Sequence, residues 1–165
     1  MRQSVEIIRG ICQDLELAHH HAIVHGQIAP KSIILDRQGG FVLADLGLSL
    51  VSPPLISPRD AVVEFTAPEL WNGRSALATT AADGHALGAT LKHLLMSGRL
   101  SQIRRASQPP ASLLGIIDKA MQTDPAQRYG TAGPLGEALL RWRRSDRWRR
   151  GWLVALLVAV VALLI

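Results

Sequence analysis

The chain has 165 residues, 48% of them hydrophobic, 19% charged and 4% aromatic, which gives the length of one ordinary domain and a composition too apolar for a disordered chain. Its formal charge of +5 is local: six arginines and one aspartate lie between Arg141 and Arg150, and removing them from the 18 basic and 13 acidic residues leaves a neutral body, which argues against a nucleic-acid-binding surface. The single cysteine, Cys12, excludes an intrachain disulfide and fits a reducing compartment.

Residues 4–22 read as a helix ending near His21, with Ser4 in a cap position and Val5, Ile8, Cys12, Leu15 and Ala18 near one stripe. His19-His20-His21 at its end reads as a solvated helix terminus rather than a metal site. Adjacent helical residues splay apart, and the nearby Asp14 and Glu16 complete no ligand set. Two short β-rich runs, Ser32–Leu35 and Phe41–Ala44, flank Asp36-Arg37-Gln38-Gly39-Gly40, a hairpin connection whose glycines supply positive φ angles. Residues 46–68, with Pro53, Pro54, Pro58 and Pro68, read as a long loop. Its Ser49, Ser52, Ser57 and Thr66 offer hydroxyls for phosphorylation, although ordinary loop hydroxyls are the commoner case. A helix follows over Asp83–Met96 through Leu87, Leu91, Leu94 and Leu95, stopped by Gly98, and another over Ser112–Gln122 through Leu113, Ile116, Ile117 and Ala120. A last helix starts near Thr131, with Pro134 in its first turn, and runs toward the basic flank.

From Trp152 to Ile165 the indole is the only polar side-chain group, and Arg143, Arg144, Arg147, Trp148, Arg149, Arg150 and Trp152 read together as the cytoplasmic flank of a membrane segment. As a helix, these last residues rise about 21 Å against a hydrocarbon core of about 30 Å, so a truncated span is the simplest account. A buried core helix is the alternative, and it rarely lacks any polar face. The arginines would contact anionic lipid, each contributing about 1 kcal/mol near a charged surface. No internal repeat and no amino-terminal signal peptide is visible.

The loop after the first helix reads Ile23-Val24-His25-Gly26-Gln27-Ile28-Ala29-Pro30-Lys31-Ser32-Ile33-Ile34-Leu35; after the hairpin come Leu43-Ala44-Asp45-Leu46-Gly47, then Ala67-Pro68-Glu69, then Asp83 with Leu87-Gly88, then Asp124-Pro125-Ala126-Gln127-Arg128. This order, covering roughly residues 5–144, resembles the carboxy-terminal lobe of a protein kinase of the bacterial membrane-anchored Ser/Thr type. The matching family motifs are a catalytic loop of the form I-V-H-R-D-L-K-P-x-N-I-L-L, D-F-G and A-P-E. The resemblance implies that Glu69 and Arg128 form a buried ion pair, that Asp83 accepts backbone N–H groups of the loop at His25, that His25 packs beside Leu46, and that Asp45 is a magnesium ligand. Each residue also has a plainer reading: exposed surface charges for Glu69 and Arg128, a helix N-cap for Asp83, an aspartate at a strand-to-loop turn for Asp45.

The departures are concentrated. Gln27 stands where the family has the carboxylate that accepts the substrate hydroxyl's proton, Ala29 where it has the lysine that steadies the transferred phosphoryl group, Ser32 where it has a magnesium-binding asparagine, and Val62 where it has the threonine of the substrate-facing loop. The chain also begins at the helix before the catalytic loop, so the amino-terminal nucleotide-binding lobe is expected to be absent, and the stretch Gly98–Ser112 looks too short for the family's docking helix. The expectation is a mainly α, kinase-like carboxy-terminal lobe with a small hairpin over residues 1–140, a basic linker over 141–150 and a partial transmembrane helix over 151–165. It sits at the inner membrane with residues 1–150 cytoplasmic. It holds no cofactor firmly and Mg·ATP weakly at most, and acts as a binding or regulatory module with a protein partner or a separate amino-terminal lobe. The alternatives are a fragment of an ATP-dependent Ser/Thr kinase and a decayed gene product, which poor solubility and loose packing would reveal.

Overall fold

The structure is a computed structural model that describes residues 1–46, 63–71, 78–96 and 108–146. Four helices and one hairpin make up most of this part: α1 (Arg2–His20), β1 (Ile33–Leu35), β2 (Phe41–Leu43), α2 (Thr80–Met96), α3 (Ala111–Ala120) and α4 (residues 132–146). Short 3-10 turns at Pro30–Ser32, Val63–Phe65, Pro68–Leu70 and Pro125–Gln127 join or precede them, three of the four opening on a proline whose fixed φ suits the first turn. Val62, the stretch 97–107 and the apolar segment 152–165 lie outside the described residues, as does most of the expected 46–68 loop. Among the described residues no helix is long and apolar enough to cross a membrane.

α1 buries Val5, Ile8, Ile11, Cys12, Leu15, Ala18 and His19, a three- and four-residue spacing that keeps one face on the core. It starts two residues earlier than the sequence suggests. Met1 occupies the N-cap with no side-chain cap bond, and Ser4 lies inside the first turn, so Ser4 is not the cap. The hairpin is antiparallel, with Ile33 opposite Leu43, Ile34 opposite Val42 and Leu35 opposite Phe41. Its connection is closed by the Asp36 carboxylate, whose Oδ1 accepts from the Gln38 amide at 2.8 Å and the Gly40 amide at 2.7 Å, while Gly39 takes φ +84.

α2 is the central element. Every residue from Ala82 to Leu91 is buried, so it needs no polar stripe and shows a poor amphipathic pattern. Its side chains meet those of α1, α3 and α4 in one core that includes Ile8, Ile11, Leu15, Leu87, Leu91, Leu113, Ile117, Leu135 and Leu139. The α2–α3 crossing is tight at Gly88, where an added Cβ would stand 2.7 Å from the Ala120 Cβ. Gly88→Ala is therefore expected to destabilise the fold by about 1–3 kcal/mol through overpacking, despite the better helix propensity of alanine. Urea denaturation checks this, and a gain in stability would contradict the close crossing.

α1 and α4 lie side by side and antiparallel. Arg2 bonds to Asp146, Glu6 to Arg143, and Glu16 to the Gly133 amide, and a Cβ at Gly136 would sit 3.0 Å from the Cys12 Cβ. The start of α4 is capped from α1: Glu16 Oε2 accepts from Gly133 N at 2.6 Å, Glu16 Oε1 accepts from the Thr131 hydroxyl at 3.0 Å, and His19 Nδ1 accepts from Ala132 N at 3.3 Å. Amide groups that the helix itself cannot satisfy are thus met by side chains from a neighbouring element.

Candidate functional site

The loop between α1 and β1 turns over the amino-terminal part of α2. Asp83, 1% exposed, accepts from the His25 amide through Oδ2 and the Gly26 amide through Oδ1, both at 2.8 Å, and its Oδ2 lies 3.0 Å from His19 Nε2. Because His19 Nδ1 accepts from the Ala132 amide, the ring proton sits on Nε2 and points at Asp83. One carboxylate therefore ties together α1, α2, the loop and the start of α4. The reading of His19 as part of a solvated terminus is overturned: His20 and His21 are exposed, whereas His19 is 8% exposed and carries this hydrogen bond. The signal was available, since His19 falls four residues after Leu15 and seven after Cys12, on the buried stripe of α1.

His25 is buried and acts as a brace. Its Nδ1 accepts from the Gln27 amide at 3.3 Å, so Nε2 donates to the Ala44 carbonyl at 2.8 Å and couples the loop to the end of β2. Immediately beyond, Asp45 adopts φ +65, a conformation costly for a residue with a Cβ and best tolerated by aspartate and asparagine. Asp45 is exposed, as is Leu46, at 46%. Among the described residues no group of three or more His, Cys, Asp or Glu side chains is placed to hold a metal ion.

The chemical positions of the loop are quiet. Gln27 is exposed. Ala29 is 2% exposed and packs with Phe65 and Ala89. Ser32 is buried and turns its hydroxyl inward, donating to the Gln27 carbonyl at 3.3 Å. The loop thus presents no carboxylate or ammonium between His25 and Pro30, and the exposed Lys31 is the first cation after it.

A second polar knot lies beneath the Pro68–Leu70 turn. Arg128, whose side chain is fully buried, donates Nη1 to Glu69 Oε1 and Nη2 to Glu69 Oε2, both at 2.7 Å. It also donates to the carbonyls of Gln122 at 2.6 Å and Thr123 at 2.9 Å. Burial raises the Glu69 carboxyl's pKa, but the Arg128 hydrogen bonds and charge outweigh it and hold the group below its ordinary value. The guanidinium needs this set of acceptors, because a buried charge is tolerated only when fully hydrogen-bonded.

Next to this knot, His85 is 5% exposed and its Nδ1 has no hydrogen-bond partner among the described residues. Burial and the neighbouring Arg128 charge push its pKa down to about 4, only partly offset by Glu69 and the Phe65 carbonyl. A histidine with a depressed folded pKa binds its proton more readily when unfolded. Its contribution to stability is therefore whole above the ordinary value of 6.5 and is lost as pH falls toward 4. Acidification over that window is expected to remove about 2 kcal/mol from wild type and much less from His85→Gln, read as urea midpoints at pH 7 and pH 4. Equal acid losses in the two proteins would contradict the assignment.

No protein-family model matches the chain. Among curated proteins it is similar to bacterial kinases. It is 30% identical over 169 residues to serine/threonine-protein kinase PknK of Mycobacterium bovis, a match covering 88% of this chain and 15% of that protein. It is 30% identical over 155 residues to serine/threonine-protein kinase PrkC of Bacillus subtilis, covering 79% of this chain and 24% of the relative. With serine/threonine-protein kinase PknB of Mycolicibacterium smegmatis it shares 24% identity over 165 residues, covering 85% and 26%. The chain therefore spans about a quarter or less of the length of these relatives.

Proposed function

Starting from a chain whose homologues are bacterial serine/threonine protein kinases and whose described part is built as a kinase-like carboxy-terminal lobe, we propose that it does not transfer phosphate and serves as a membrane-tethered binding or regulatory module. One contrast carries this reading. The residues that shape the loop are in place and bonded, Asp83 to two loop amides and His25 to Ala44, whereas the positions that would do chemistry hold an amide, a methyl group and an inward-turned hydroxyl at Gln27, Ala29 and Ser32. A glutamine cannot take a proton from a substrate hydroxyl at neutral pH, and an alanine supplies no charge to a phosphoryl group in flight. A single exposed carboxylate, Asp45, holds Mg²⁺ poorly without phosphates and further ligands. The tether is the apolar run from Trp152 to Ile165 behind its arginine flank.

Isothermal calorimetry of the chain with Mg·ATP tests the reading. No saturable heat is expected. Saturable binding that disappears in Asp45→Ala would show a working half-site and favour the second reading, a part of an ATP-dependent Ser/Thr kinase, for which the relatives' names speak.

A further inference from the structure

α1 and α4 form an antiparallel strut with two chemically different ends. At one end Arg2 pairs with Asp146 at 2.8 Å and Glu6 pairs with Arg143. At the other, Glu16 and His19 cap the first amides of α4. Nineteen helical residues in α1 set these ends about 28 Å apart. The loop at His25 belongs to the capped end, because His19 and the His25 amide share Asp83 Oδ2.

Covalent reach fixes what lies near the first end. Trp152 follows Asp146 by six residues, so the apolar segment begins no further than about 20 Å from the Arg2–Asp146 pair, whatever path the chain takes. Charge is polarised in the same sense. The exposed Arg141 and Arg144 stand toward this end, with Arg147, Arg149 and Arg150 next in sequence, while Asp14 and Glu16 lie toward the loop end. The loop end also carries the exposed Lys31, so the contrast is one of degree: an anionic surface attracts the arginine end more strongly than the loop end.

Resting on the membrane attachment proposed above, we propose that the lobe stands end-on upon an anionic lipid bilayer. The end where α1 begins and α4 finishes lies against the headgroups, and the loop at residues 25–32 is held at the far end, open to a partner away from the lipid. The two ion pairs are surface pairs of small individual strength. What stiffens the strut is the common core that Ile8, Ile11, Cys12 and Leu15 share with Leu135 and Leu139.

The test labels single cysteines in the full chain with a fluorophore and reconstitutes it in phosphatidylcholine–phosphatidylglycerol vesicles containing headgroup-spin-labelled lipid. Cys12 is buried, with its thiol pushed up to about 12, and stays unlabelled. Exposed Gln3 and Ser145 report the arginine end; exposed His21 and Gly130, where an added Cβ meets nothing within 4 Å, report the loop end. Quenching several-fold stronger for Gln3→Cys and Ser145→Cys than for His21→Cys and Gly130→Cys is expected. Equal quenching at both ends in a chain that floats with the vesicles would overturn the orientation and leave the attachment standing. A chain that does not float with the vesicles would overturn both.

Discussion

Asp83→Ala is expected to cost about 3–5 kcal/mol, enough to threaten a domain of ordinary stability. The substitution removes a carboxylate that is 1% exposed and leaves the His25 and Gly26 amides and the His19 Nε2–H without an acceptor. Each stranded buried donor costs about 1–3 kcal/mol. Asp83→Asn is expected to cost less, because one side-chain oxygen survives, yet more than a surface change, because its NH₂ group must face a donor. Urea denaturation ranks the three proteins. Hydrogen exchange at the His25 and Gly26 amides, faster in both variants, locates the damage. An Asp83→Ala loss below about 1 kcal/mol would mean that the loop is held by something other than this carboxylate.

Arg128→Ala is the second large effect, again about 3–5 kcal/mol. It abandons Glu69 and the carbonyls of Gln122 and Thr123 together. Arg128→Lys offers little rescue, since an ammonium cannot span both Glu69 oxygens in the fork geometry that the guanidinium uses. Glu69→Ala is expected to cost less than Arg128→Ala, because Arg128 retains its carbonyl partners. A double-mutant cycle should return a coupling above about 1 kcal/mol. Additive losses would show that the two side chains are bonded without being energetically linked.

The helices were legible because their apolar spacing is regular, and the hairpin because Gly39 and Gly40 mark its turn, although of the two only Gly39 takes a positive φ. α2 was placed less accurately at its start, since a helix buried on every side offers no stripe, and the sequence suggested Asp83 where Thr80 begins it. Motif order singled out Asp83, His25, Glu69 and Arg128, but it could not give the number of bonds that each makes. His19, Glu16 and His85 went unrecognised. His19 falls on the buried stripe of α1, but neither its partners nor those of Glu16 can be read from spacing, because they are a side chain on α2 and backbone amides of α4, far away in sequence. His85 lies in a helix whose burial leaves no stripe to mark it. The Gly88 crossing was equally hidden, because its partner Ala120 is on another helix.

The most direct test of the central claim is phosphate transfer from radiolabelled Mg·ATP, to the chain itself or to a basic protein acceptor, with Asp45→Ala in parallel. A folded chain is expected to incorporate no label above the protein-free blank, because Gln27 and Ala29 leave the reaction without a proton acceptor and without a cation on the phosphoryl group. Label that accumulates with time and is lost in Asp45→Ala would contradict the account and make this lobe part of a working kinase.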